Sequence, residues 1–211
     1  MLPRLYAILD IDVIAARGLE PRGLLRAWLD AGVRLVQLRA KRLSLGPFLE
    51  LADWMAADCR AAGAVFIVND RVDVARLAGA GGVHLGQDDI SPEQARAMLP
   101  AEAWMGLSTH NESQLRRGAE SGPTYLAIGP VFQTSSKDRP DPVIGLEGVS
   151  HLASNLRASH AGLPLVAIGG ITLATAAGVL AAGADSVAVI SDLLGHDDPA
   201  GRAGAFVRAV G

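Results

Sequence analysis

The chain alternates between short apolar runs and longer segments in which apolar residues recur with helical spacing. Most of the short runs are apolar on both faces, which is typical of parallel strands buried between two layers. There are eight such runs: LYAILD (5–10), LVQLR (35–39), VFIVND (65–70), GVHLG (82–86), WMGLS (104–108), YLAIGPVF (125–132), LVAIGG (165–170) and SVAVIS (186–191).

The segments between the runs predict helices. Three of them, LLRAWLDAG, FLELADWMAADCRAAG and LATAAGVLAAG, end in a glycine that suits a helix C-terminus. The segment SPEQARAML opens with a Ser-Pro-Glu helix start. Eight strand–helix units predict an α/β fold in which residues 1–211 form a single (β/α)₈ barrel domain, with eight parallel strands and outer helices. A doubly wound open sheet is the alternative, but it usually has fewer strands.

Composition narrows the class of protein. Half of the residues are apolar and the net charge is −3, so nothing favours a nucleic-acid or membrane partner. Cys59 is the single cysteine, which excludes an internal disulfide. No apolar segment approaches the roughly 20 residues that span a bilayer, and Asp10 and Asp12 interrupt the first apolar run. We expect a cytoplasmic enzyme or binding protein, and the sequence leaves homo-oligomerisation open.

In such a barrel the functional site lies at the carboxyl ends of the strands. The second predicted strand ends with Gln37, Arg39 and Lys41, which alternate with apolar residues and therefore point to one side. Two cations at a strand end suit an anion such as phosphate. An ordinary solvated strand end is an equally good interpretation of this piece alone.

Acids follow the third and fourth predicted strands. Asp70 and Asp89 could share a hard cation such as Mg²⁺, which prefers oxygen ligands and phosphate partners. Alternatively, Asp70 pairs with Arg71, and Asp89 caps the helix that begins near Ser91. His84 lies inside an apolar strand, where a core role and a catalytic role are both open.

The stretch FIVNDRVD contains four polar residues after its apolar part. We expect Asn69 and Asp70 to face the ligand, because they lie where the strand leaves the barrel. We expect Arg71 and Asp73 to be structural. Asp73 precedes a helical segment, where an acid can accept backbone N–H bonds at the helix start.

The later strands offer further groups for anions. Lys137 joins Arg39, Lys41, Asp70 and Asp89 in a first anion site, and the backbone near Gly170 and Ser191 forms a second one. Small hydroxyls beside a lysine, at Thr134, Ser136 and Lys137, suit a phosphate or diphosphate, although a polar loop is equally consistent with them. Backbone N–H groups near Gly170 and Ser191 match the usual phosphate cradle after strands seven and eight. Two phosphate-bearing substrates, one of them bound with Mg²⁺, would explain both groups.

The motifs VQLRAK, FIVNDRVDVA, GVHLGQDD, GLSTH, GPVFQTSSK, AIGGI and AVIS occur in this order along nearly the whole chain. Together they resemble the thiamine-phosphate synthase family, also called thiamine-phosphate pyrophosphorylase. The resemblance implies a TIM barrel and an enzyme that joins 4-amino-2-methyl-5-(diphosphooxymethyl)pyrimidine to a thiazole monophosphate. The products are thiamine monophosphate and pyrophosphate.

The resemblance also implies roles for individual residues. The pyrimidine diphosphate is held by Gln37, Leu38, Arg39, Ala40, Lys41, Asn69, Ser108 and Lys137. The thiazole phosphate is held by Thr134, Ser135, Ser136, Gly170, Ile190 and Ser191. Asp70 and Asp89 bind the Mg²⁺. The implied mechanism is dissociative: Arg39, Lys41 and Lys137 stabilise the departing pyrophosphate, and no protein nucleophile is needed.

The sequence departs from the family pattern in one loop. Gln133 occupies a position where the family commonly has proline, and Ser136 replaces a threonine, which affects loop geometry more than charge. Two rival functions are a thiazole tautomerase on the same barrel and a non-catalytic barrel that binds a thiamine precursor. The diphosphate and metal residues together argue against both.

Overall fold

The computed structural model describes residues 1–134 and 141–211. The described residues contain eight parallel strands that form a closed barrel in chain order, with β8 paired to β1. The strands are β1 Leu5–Asp10, β2 Leu35–Arg39, β3 Val65–Asn69, β4 Gly82–Leu85, β5 Trp104–Thr109, β6 Tyr125–Ile128, β7 Leu165–Ile168 and β8 Ser186–Val189. The predicted (β/α)₈ TIM barrel is therefore confirmed, and the open sheet is excluded. That residues 1–211 form one domain stays a prediction.

Helices surround the barrel and alternate with the strands. They are α1 Ile11–Ala16, α2 Pro21–Asp30, α3 Leu45–Ala61, α4 Val72–Leu77, α5 Pro92–Met98, α6 Glu112–Glu120, α7 Gly145–Ser159, α8 Leu173–Ala181, α9 Ser191–Leu194 and α10 Pro199–Val210. The predicted Ser-Pro-Glu start is confirmed at α5. The Ser91 hydroxyl accepts from the Gln94 N–H, and the Gln94 side chain accepts from the Ser91 N–H.

The strands are apolar on both faces because each face meets its own hydrophobic cluster. Val36 and Leu38 point outward into the layer between barrel and helices. Leu35 points into the barrel, where it packs in a smaller cluster with Tyr6 and Tyr125. The alternation along β2 also directs Gln37 and Arg39 toward the barrel interior and its mouth. The alternation of side chains along β2 therefore places its apolar residues in the two hydrophobic clusters and its polar residues at the cavity.

The sixth apolar run is longer than the strand it forms. It was predicted to extend to Phe132, whereas β6 ends at Ile128. Pro130 has no N–H to donate, so the regular ladder stops there. Beyond it, the N–H groups of Val131 and Phe132 donate to Ile168 O and Gly169 O at 2.9 and 3.0 Å. The last residues of the run therefore lie along the end of β7. Among the described residues, no helix is both long and apolar enough to cross a membrane.

Candidate active site at the carboxyl ends of the strands

A cavity of about 950 Å³ opens at the carboxyl ends of the strands. It brings together eleven of the residues predicted from the sequence: Gln37, Arg39, Lys41, Asn69, Asp70, Asp89, Ser108, Thr134, Gly170, Ile190 and Ser191. These residues come from distant parts of the chain, and the barrel closure places them around one space.

Two of the predicted residues do not offer a side chain to this cavity. Leu38 and Ala40 are buried in the outer hydrophobic cluster, facing the helices. Strand alternation requires this once Gln37 and Arg39 face the other way. The assignment of Leu38 and Ala40 to the pyrimidine diphosphate stays a prediction, in which their backbone atoms would serve the ligand. Ser135, Ser136 and Lys137 lie outside the described residues.

Arg39 is held by an acid that the sequence analysis did not assign to the site. Its guanidinium donates to the carboxylate of Asp10, the last residue of β1, which is 1 % exposed. The other Asp10 oxygen accepts the N–H groups of Asp12 and Val13 at 3.1 and 3.2 Å and caps α1. The signal available in the sequence was an acid at the end of a strongly apolar run.

Lys41 and Asp70 form a second ion pair at the mouth, with Nζ 2.5 Å from Oδ2. Among the described residues, Asp70 is the one non-glycine residue with a positive φ, at 63°. Its N–H donates to His84 O at 2.8 Å, which holds this unfavourable backbone conformation in place. The alternative pairing of Asp70 with Arg71 is wrong, because Asp70 pairs with Lys41 and the Arg71 guanidinium pairs with Asp73.

Asp89 lies beside Asp70 and accepts the N–H of Gly86 at 2.7 Å. It does not cap α5, since Ser91 does so, and that alternative is also wrong. Burial, together with the neighbouring Asp70 charge, raises the pKa of Asp89 against the lowering effects of the Gly86 N–H and Lys41. The two carboxylates offer oxygen donors of the kind that a hard divalent metal ion prefers, beside the Lys41 ammonium that already pairs with Asp70. Residues 1–134 and 141–211 contain no group of three or more histidine, cysteine, aspartate or glutamate side chains that could hold a metal ion together.

A chain of hydrogen bonds crosses the floor of the cavity. Gln37 Nε2 donates to Tyr6 OH at 2.7 Å, and Tyr6 OH lies 2.9 Å from Tyr125 OH. His84 then joins Tyr125 OH at 3.0 Å through Nδ1 and Ser108 Oγ at 2.8 Å through Nε2. Burial raises the pKa of both tyrosines well above the usual value, so both stay protonated. His84 is therefore a hydrogen-bonded interior residue whose ring also borders the cavity.

Glycines shape this floor and the opposite wall. A Cβ atom at Gly106 would lie 2.1 Å from Tyr125 Cζ, so the phenol ring needs a glycine there. At Gly170, where φ is 64°, a Cβ atom would lie 2.3 Å from Gln133 O. The Gly169–Gly170 turn consequently approaches the loop after β6 closely and presents backbone to the cavity, next to Ile190 and Ser191.

The division predicted for FIVNDRVD agrees with the structure in location. Asn69 and Asp70 line the cavity, whereas Arg71 and Asp73 do not. The detail differs for Asp73, because α4 already begins at Val72 and the N-cap position is Arg71. Asp73 lies in the first turn of α4 and accepts two hydrogen bonds from the Arg71 guanidinium, at 2.8 and 2.5 Å. The Arg71 hydrogen bonds are the main cause that lowers the pKa of Asp73, and the Val74 backbone N–H at the helix start also lowers it.

The fold and the cavity define a TIM-barrel protein with paired acids and cations where barrel enzymes have their active sites. A family model described as thiamine monophosphate synthase matches residues 5–193. The chain belongs to the thiamine monophosphate synthase family, and it is an enzyme of this kind.

Individual relatives agree with this assignment. A thiamine-phosphate synthase of Koribacter versatilis is 44% identical over 98% of this chain and 95% of its own length. One from Chloroflexus aurantiacus is 39% identical, covering 92% of this chain and 87% of that protein. The solved structure of thiamine phosphate pyrophosphorylase from Pyrococcus furiosus superimposes with a TM-score of 0.86 at 30% identity, covering 99% of this chain and 95% of that one.

Proposed function

We propose that the protein couples 4-amino-2-methyl-5-(diphosphooxymethyl)pyrimidine to 4-methyl-5-(2-phosphooxyethyl)thiazole in a Mg²⁺-dependent reaction that releases pyrophosphate. One observation carries the proposal. The cavity has a charged side, with Arg39, Lys41, Asp70 and Asp89, and an opposite wall of backbone at Gly170 and Ser191. Two chemically different anion sites in one cavity suit two phosphorylated substrates.

The charged side suits the diphosphate and its metal ion. Arg39 offers guanidinium N–H groups and Lys41 a compact ammonium, and both favour phosphate oxygens. Asp70 and Asp89 would hold Mg²⁺, since a magnesium site commonly combines one or two carboxylates with substrate phosphates. When bound, Mg²⁺ neutralises the charge that collects on pyrophosphate as the C–O bond breaks.

The floor of the cavity suits the pyrimidine. The buried network from Gln37 through Tyr6 and Tyr125 to His84 and Ser108 combines flat apolar surface with hydrogen-bonding groups. A planar heterocycle with ring nitrogens and an amino group needs both. The residues lining this floor exclude water from the methylene carbon, where the pyrimidine cation would otherwise be captured before the thiazole nitrogen attacks it.

The backbone wall suits the thiazole phosphate. Glycine at Gly169 and Gly170 allows the phosphate to approach main-chain N–H groups, and Ser191 adds a hydroxyl donor. Thr134, in the loop that follows β6, also lines the cavity. No protein nucleophile takes part, because the thiazole nitrogen itself forms the new bond.

A turnover assay with both substrates and Mg²⁺ tests this function. We expect thiamine monophosphate and pyrophosphate in equal amounts, and neither product when one substrate is omitted. Isomerisation of the thiazole phosphate alone, without pyrophosphate release, would indicate the tautomerase function instead. Tight binding of both substrates without any product would indicate a binding protein.

A further inference from the structure

Asp192 joins two backbone segments that border the cavity. The first segment, residues 169–171, follows β7 and leads into α8; the second, residues 190–191, follows β8 and leads into α9. Asp192 directly follows the second segment. Its Oδ2 accepts the N–H of Leu173, the first residue of α8, at 2.8 Å. The carboxylate therefore bridges the starts of two helices, next to the two backbone segments that are predicted to bind a phosphate.

The charge of this carboxylate is balanced locally. Arg202 of α10 donates from Nε and Nη2 to the same oxygen at 3.1 and 2.7 Å, and His196 Nε2 lies 3.3 Å from Oδ1. Burial raises the pKa of Asp192, but the hydrogen bonds from Leu173 N–H, Arg202 and His196 outweigh it and hold the pKa below the usual value. An ionised acid beside an anion site would repel the anion. The Arg202 guanidinium offsets that charge.

Asp192 cannot act on a ligand directly, because it does not line the cavity. The N–H groups at the start of α8 are also engaged within the protein. Thr172 N–H donates to Thr175 Oγ1 at 2.9 Å, and Leu173 N–H donates to Asp192. These bonds fix where α8 begins, and therefore where the preceding Gly170 and Ile171 lie relative to Ser191.

We propose that Asp192, with Arg202, is a positioning residue that sets the spacing of the two backbone segments and thereby the affinity for the phosphate monoester of the second substrate. This inference rests on the proposed function. The residues on the diphosphate side of the cavity follow β2, β3 and β4, whereas Asp192 follows β8. We therefore expect loss of Asp192 to affect binding of the thiazole phosphate and not binding of the diphosphate.

The protein contains a matched control for this contact at the opposite end of the same two strands. Asp185 precedes β8 and accepts the N–H of Leu165, the first residue of β7, at 2.8 Å, and Arg157 lies 3.5 Å from its other oxygen. It thus bridges the starts of β7 and β8, far from the carboxyl ends, with a more exposed side chain than that of Asp192 (43% against 13%). Loss of Asp185 reports the general cost of losing such a bridge.

The test measures binding of the thiazole phosphate by calorimetry, and KM for each substrate, in Asp192→Ala, Asp192→Asn and Asp185→Ala. Losing one positioned hydrogen bond should weaken thiazole phosphate binding roughly five- to tenfold in Asp192→Ala, with KM for the diphosphate and kcat nearly unchanged. Asp192→Asn keeps an oxygen acceptor for Leu173 N–H and should recover most of the affinity. Asp185→Ala should lower the melting temperature without changing either KM.

Three results would overturn the inference. The first is an Asp192→Ala variant that binds the thiazole phosphate like wild type, and the second is an Asp192→Ala variant that binds both substrates equally more weakly. The third is an Asp185→Ala variant in which binding of the thiazole phosphate alone is weakened. A wild type that binds no phosphate monoester would overturn it as well. A wild type that binds the thiazole phosphate but forms no thiamine phosphate would contradict the proposed reaction alone, since the binding comparison among variants would still decide the role of Asp192.

Discussion

The ammonium group of Lys41 lies 2.5 Å from a carboxylate oxygen of Asp70, so the ends of β2 and β3 meet as an ion pair at the cavity mouth. Arg39 is paired with Asp10 in the same region, and Asp89 adds a third acid. These five groups include three acids and two cations. These five groups carry one more negative than positive formal charge, so we expect a divalent cation to accompany a diphosphate that binds beside them. This relationship makes metal dependence the central claim for the site.

A substitution in one anion site should weaken binding of one substrate and leave binding of the other unchanged. Lys41→Ala removes a charged donor and should weaken binding of the pyrimidine diphosphate by about 1.5–3 kcal/mol, with little effect on binding of the thiazole phosphate. Ser191→Ala removes a neutral hydrogen bond and should weaken binding of the thiazole phosphate alone, by about 0.5–1.5 kcal/mol. Calorimetry with each substrate and each variant measures this. Equal losses for both ligands in both variants would contradict the division into two sites.

Asn69 and Asp73 lie four residues apart and should have opposite roles. Asp73→Ala breaks an exposed ion pair with Arg71 and should cost about 0.2–1 kcal/mol of stability, with turnover per folded molecule unchanged. Asn69→Ala should reduce turnover and leave the melting temperature close to that of wild type, because Asn69 lines the cavity. Denaturant unfolding and steady-state kinetics on both variants check the assignment. Loss of activity in an Asp73→Ala protein with wild-type stability would show that the assignment is reversed.

The Asp73 contribution should depend on pH in a defined direction. The hydrogen bonds from Arg71 are the main cause that lowers the pKa of Asp73 below the usual value for an aspartate. A lowered pKa in the folded state adds stability that is fully present above the unfolded-state pKa and is lost as the pH falls through the folded-state pKa. The difference in unfolding free energy between wild type and Asp73→Asn should therefore be constant from pH 7 to about pH 5 and shrink below about pH 4. A difference that grows on acidification would contradict this ion pair.

Tyr125 should contribute to stability through its hydroxyl. It lies between Tyr6 and His84 in the buried network and is 0% exposed. Tyr125→Phe leaves two buried polar groups short of a partner, which should cost about 1–3 kcal/mol. Denaturant unfolding measures the loss, and Tyr6→Phe gives a comparison at the neighbouring position. A Tyr125→Phe protein as stable as wild type would mean that the network does not stabilise the fold.

The eight strands could be predicted from the sequence because most of the runs are apolar on both faces and several of the helical segments between them end in a glycine. Most residues at the mouth could be predicted as well, since in a barrel every strand end points to the same side. Strand ends were less certain, as β6 shows, because apolar side chains such as Val131 and Phe132 also pack beside a neighbouring strand without joining the ladder.

Contacts across the barrel could not be predicted. Tyr6 and Tyr125 are separated by 119 positions in the chain, and their hydrogen bond depends on the tilt and stagger of the closed barrel. The partnership of Asp10 with Arg39 depends in the same way on the register between β1 and β2, which pairs these two residues. Local patterns identify a hydrogen-bond partner only where that partner is also local, as in the Ser91–Gln94 capping box.

Metal dependence of synthesis by wild type, Asp70→Asn and Asp73→Asn tests the central claim most directly. Thiamine phosphate formation is measured as Mg²⁺ is titrated into protein first treated with EDTA. We expect background activity without Mg²⁺, a half-maximal Mg²⁺ concentration at least about tenfold higher for Asp70→Asn, and a wild-type titration for Asp73→Asn, which changes an acid on the same turn outside the cavity. Full turnover in EDTA, or an Asp70→Asn titration that overlays wild type, would contradict the account.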